Sequence, residues 1–174
     1  MVYLTIDPSE AAIPPRESIL LCIESFRTWS LLLKYNQSLE TYTSIYPVIM
    51  RLLLYFVNNI NINESTEKNI FDCDVGAWLL TVLTTVLGTG LPWNEVSGLY
   101  APVETCARKW LIQVTRMTTG VTNSARSMIA ASLAFIAMFL TKIKGKDDSL
   151  VEKWKNESGP GLKDALNTFM NSGM

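Results

Sequence analysis

The sequence predicts an all-α protein: two packed small helical bundles with a short helical C-terminal tail. Three observations carry this. Hydrophobic residues make up 48% of the chain and recur at helical spacing in one segment after another. Proline and glycine stand where such segments begin and end, as at Pro15, Pro47, Pro102, Gly88, Gly120 and Gly145. Charged residues are only 18%, the composition of a chain that fills a core rather than one that stays disordered. The division is expected at 1–87 and 88–174, the two parts forming one compact unit.

Residues 1–15 read as extended, because Pro8, Pro14 and Pro15 block a helix there. A helix over 16–34 follows, carrying Ile19, Leu20, Ile23, Phe26, Leu31 and Leu33. A short segment at 38–43 leads to Pro47 and a helix over 45–58. Ile45, Ile49, Leu52, Leu53, Phe56 and Val57 form its stripe, with Arg51 its lone charge, the pattern of a buried helix. Residues 58–69 are Asn-rich and polar, so they read as a loop.

Asp72 or Asp74 is expected to cap the next helix, which ends at Gly88 after a stripe of Val75, Trp78, Leu79, Val82, Leu83 and Val86. GTGLP makes a turn, and 92–99 a short helical piece. Pro102 should open a helix over 102–118, with Val103, Cys106, Ala107, Trp110, Leu111, Val114 and Met117 inward and Glu104–Arg108 paired outside. Thr122 or Asn123 caps a helix that runs to about Lys144. Its apolar stripe is Ile129, Leu133, Ile136, Phe139, Leu140 and Ile143. A second stripe of Ala130, Ala134 and Ala137 would let another helix approach closely. A short helix over 147–155, a hinge at 158–161 and a weak helix over 162–171 complete the chain.

The chemistry is sparse. There is no histidine, which removes the commonest general base and metal ligand and any Ser-His or Cys-His pair. The protein is therefore expected not to be an enzyme, with no catalytic residues, no metal, no cofactor and no small-molecule substrate. GTG at 88–90 lacks the lysine of a phosphate loop. Asp72, Cys73 and Asp74 read as a cap and its neighbours rather than a cation site. Cys22, Cys73 and Cys106 are odd in number and widely spaced in apolar stretches, so they read as free buried thiols. No signal peptide is apparent, and the longest apolar run, 129–140, falls short of a bilayer crossing.

Charge is divided along the chain. Residues 1–100 hold 5 Lys+Arg against 10 Asp+Glu; residues 101–174 hold 10 against 6. Opposite halves can attract between copies in a head-to-tail array, or the helix surfaces simply differ. Arg108, Lys109 and Arg116, with Lys142, Lys144 and Lys146, are the candidate contacts for anionic lipid or RNA. Against this, Lys142 and Lys144 also suit a helix C-terminus.

Four segments, in order, resemble the N-terminal helical part of the influenza-type (orthomyxovirus) matrix protein: 12–26, 44–57, 88–100 and 124–143. The stretch 67–87 lacks the arginine run that family carries there. The resemblance implies a viral matrix-type structural protein that self-assembles beneath the envelope. It would bridge an anionic membrane surface and viral ribonucleoprotein, at the inner membrane face of the host cell and inside the virion. The alternative is a small helical adaptor or host-response antagonist that binds a partner protein through an apolar groove.

Overall fold

The structure is a computed structural model. It describes residues 42–171 except 64, 90–92 and 118–119, plus Glu17, Leu20, Leu21, Glu24, Ser25 and Thr28. Those six residues are helical, and Ser25 Oγ and Thr28 Oγ1 donate to the carbonyls four residues back, of Leu21 and Glu24. They fall in the expected 16–34 helix; its other residues, the extended 1–15 and most of 38–43 lie outside the described residues. The described chain is all-α, with no strand among the described residues. Its elements are α1 Tyr42–Asn59, α2 Glu67–Thr89, α3 Trp93–Thr115, α4 Asn123–Ile143 and α5 Asp148–Lys153. A π-helical turn, Trp154–Ser158, then runs into α6 Gly159–Asn171.

Helix α2 is buried along most of its length. Cys73, Val75, Ala77, Leu79, Leu80, Val82, Leu83, Val86 and Leu87 are all buried, so it is apolar on more than one side. It packs most extensively on α4 and also meets α1. A Cβ built on Gly76 would fall 2.8 Å from Met128 Sδ, and one on Gly88 3.6 Å from Met138 Cε. Both pairings advance in the same direction, so α2 and α4 run parallel. Tyr100, early in α3, stacks on Phe139, late in α4, with ring centroids 4.7 Å apart. Helix α3 is therefore antiparallel to α4. The Cys106 thiol donates to the Val57 carbonyl at 3.6 Å, which fixes the end of α1 against the middle of α3.

Several expectations are corrected. Helix α2 starts at Glu67 and its N-terminal cap is Thr66, whose Oγ1 accepts from the Asn69 backbone N–H at 3.3 Å. Asp72 is instead a buried residue inside the helix, paired with Lys68 at 3.2 Å. The 58–69 segment is not wholly polar loop, because Ile60 and Ile62 plug the core. Trp78, assigned to the inward stripe, is 41% exposed. Helix α3 does not begin at Pro102 but runs through it. Val96, Leu99, Tyr100, Val103, Ala107, Trp110, Leu111 and Val114 make one continuous buried face, whose packing outweighs the missing Pro102 N–H bond. The helix ends at Thr115, before the expected 118.

Thr122 is the cap of α4, accepting from Ala125 N–H at 3.2 Å, and Gly145 at φ +80° closes the turn behind it. Ala130, Ala134 and Ala137 are exposed and admit no described helix. The close approach is made by Gly76 instead. The expected hinge at 158–161 is helical, Ser158 closing the π-turn and Gly159–Gly161 opening α6. Helices α2 (Glu67–Gly88) and α4 are long and apolar enough to cross a membrane by length and composition alone; 61% of the α2 window is buried inside the protein, which accounts for its apolarity.

Candidate functional site

The polar residues of α3 do not all face water. Tyr100, Glu104 and Arg108 follow one another at single-turn intervals. Tyr100 and Glu104 are each only 7% exposed. Glu104 and Arg108, expected outside, form an ion pair at the edge of the core. The same guanidinium donates to the Ser158 carbonyl at 3.1 Å, at the end of the π-turn. Gly159 fits because a Cβ there would lie 2.8 Å from the Trp154 carbonyl and 3.0 Å from its ring. Leu162 and Ala165 then bury the first turns of α6, which packs on α3. The seam is thus a clasp that fixes the C-terminal segment to α3.

Burial pushes the Tyr100 hydroxyl pKa upward, Glu104 adds to the rise and Arg108 opposes it. Burial likewise raises the Cys73 thiol to about 12, reinforced by Asp74 and Asp72. The Cys106 thiol is also raised by burial, with Lys109 opposing. Both are free thiols held neutral, so neither is an activated nucleophile. Among the described residues no three His, Cys, Asp or Glu side chains gather as metal ligands.

The six candidate cationic residues do not form one patch. Arg108 is bound into the clasp. Lys142 donates to the Gly88 carbonyl at 3.2 Å, tying the end of α4 to the end of α2. Lys144 and Lys146 are exposed in the turn behind it. Lys109 is exposed on α3 and Arg116 in the turn just after it. Since Phe139 lies on Tyr100, the lysine group sits beside the N-terminal half of α3, with Arg116 about 24 Å further along that axis. Sequence reasoning missed the clasp. The i, i+4, i+8 spacing of Tyr100, Glu104 and Arg108 was its visible signal; the π-turn left none.

The chain is 25% identical over 166 residues to RNA polymerase II-associated protein 1 of Homo sapiens, covering 84% of this chain. It is 25% identical over 170 residues to the Rattus norvegicus protein of that name and 26% identical over 128 residues to the Bos taurus one. The chain spans 12% of the length of the human and rat relatives and 9% of the bovine. No family profile and no solved structure matches it.

These relatives overturn the resemblance to a viral matrix protein, whose four segments were generic helical stretches covering about a third of the chain. With it falls the reading of a virion structural protein that self-assembles and bridges membrane to ribonucleoprotein. The expected inner-membrane and virion location falls too. The alternative of an adaptor or host-response antagonist with an apolar groove finds no support in the relatives either.

Proposed function

We propose that this chain is a non-catalytic helical module that takes part in association with RNA polymerase II. The observation that carries the reading is the similarity to RNA polymerase II-associated protein 1, which extends over 84% of this chain rather than over one helix. The absence of histidine and the neutral, buried thiols agree with a module that docks rather than turns over substrate. The Glu104–Arg108–Ser158 clasp serves this role by holding α6 on α3, so that the outer surface keeps one shape.

The test is co-purification of RNA polymerase II with the tagged full chain from cell extract, read by antibody to the polymerase. Enrichment above a tagged helical protein of similar size and charge supports the reading. Recovery no greater than that control overturns it.

A further inference from the structure

The outward side of α3 carries small, apolar and basic residues together. Ser97, Gly98, Ala101, Thr105, Lys109 and Ile112 are exposed in one row along it, opposite the buried Val96–Val114 face, and the exposed Arg116 stands in the turn just past its end. The first part of the row is small, and a Cβ added to Gly98 would meet nothing within 4 Å. The second part carries an apolar knob, Ile112, 38% exposed and flanked by Lys109 and Arg116. No exposed carboxylate stands between 97 and 116, since Glu104 is buried against Arg108.

A flat half lets another helix come within about 8–10 Å between axes. A knob between two cations selects what that helix must carry there: an apolar contact with carboxylates on either side. We infer that the α3 row docks an acidic amphipathic helix of a partner protein. Two cations hold a nucleic acid only weakly, because few counterions are released. One isoleucine gives little purchase in a bilayer. The charge and the small residues together fit a protein helix.

The inference rests on the reading of the chain as a docking module, but it does not require the partner to be RNA polymerase II. Its test uses the full chain and a fluorescein-labelled helical peptide of glutamate and leucine, with a lysine-for-glutamate peptide as control. The glutamate peptide is expected to bind, and the lysine peptide not. The double variant Lys109→Glu/Arg116→Glu should weaken binding by about tenfold or more. Ile112→Ala and Ala101→Gln, which change the knob and the flat half without changing charge, should each weaken it about threefold. Lys153→Glu/Lys155→Glu, on the tail, should leave it unchanged. Circular dichroism checks that each variant is folded, as expected for exposed positions.

Equal binding of the two peptides, or full binding by the Lys109→Glu/Arg116→Glu variant, overturns the inference. So does tighter binding of single-stranded RNA or of phosphatidylserine vesicles that the same variant abolishes. If the peptide fails while RNA polymerase II still co-purifies, the α3 row is wrong and the proposed function stands. If the peptide binds while the polymerase does not co-purify, the reverse holds.

Discussion

Arg108 is the residue on which most of the C-terminal geometry converges. Its guanidinium serves Glu104 and the Ser158 carbonyl together through one terminal nitrogen, Nη2, at a reach and orientation that the lysine ammonium does not share. Arg108→Met leaves Glu104 buried without its partner, and urea unfolding should show a loss of about 2 kcal/mol. Arg108→Lys should recover only part of it. Adding Glu104→Gln to Arg108→Met should restore some stability, because the uncompensated charge is then gone. Gly159→Ala acts at the same place by sterics, since its methyl group meets a carbonyl rather than a yielding side chain. Cys73 sets a separate pH limit. Its folded pKa, about 12, lies above its ordinary value of 9.0. The folded state therefore holds its proton where the unfolded state releases it. This stabilisation is complete below pH 9 and is lost as pH rises toward 12. Melting temperature measured across that window should fall more steeply for the natural chain than for Cys73→Ala. Equal slopes would show that the thiol contributes nothing.

At the scale of the helices, sequence reasoning was most reliable where a cap or a stripe acted locally. Thr122 and Gly145 bound α4 as their chemistry dictates, and the buried set of α4 follows the helical period. It failed where a distant surface decided the outcome. Pro102 has the look of a helix start, yet buried residues on both sides of it carry α3 through. The Asp72 carboxylate has the look of a cap, yet Thr66, a turn and a half earlier, takes that role. Ala130, Ala134 and Ala137 have the look of a helix crossing, yet no described helix covers them. The basic row of α3 was readable only as scattered cations, because its meaning depends on which neighbours are buried. Pro102 should therefore be a point of recoverable stability. Pro102→Ala restores an N–H directed at the Gly98 carbonyl, and its unfolding free energy should rise by about 1–3 kcal/mol. A decrease would mean that the ring itself packs better than the restored bond.

The whole molecule is stabilised unevenly. Helices α2 and α4 run parallel and make the most extensive contact of any described helix pair, while α6 is held on α3 by a short apolar face and by the clasp. Leu79, Leu80, Leu83 and Leu87 are at most 1% exposed, so their amides can exchange only when the core itself opens. Only Gly159, Leu162 and Ala165 are buried in α6, and that helix packs chiefly on α3. Opening of α5, the π-turn and α6 together should therefore precede global unfolding. Hydrogen exchange read by mass spectrometry should show peptides from 154–171 exchanging well before those from 79–87. Arg108→Met should speed the first group at denaturant concentrations that leave the second unchanged, since the lost bond joins α3 to the tail and not to α2. Leu83→Ala should do the opposite: it should speed both groups and cost about 2–5 kcal/mol, because it opens a cavity in the α2–α4 core. If Arg108→Met moved both groups equally, the tail would be an integral part of the cooperative core rather than a clasped addition to it. The row on α3 would then owe its shape to the fold as a whole and not to the clasp.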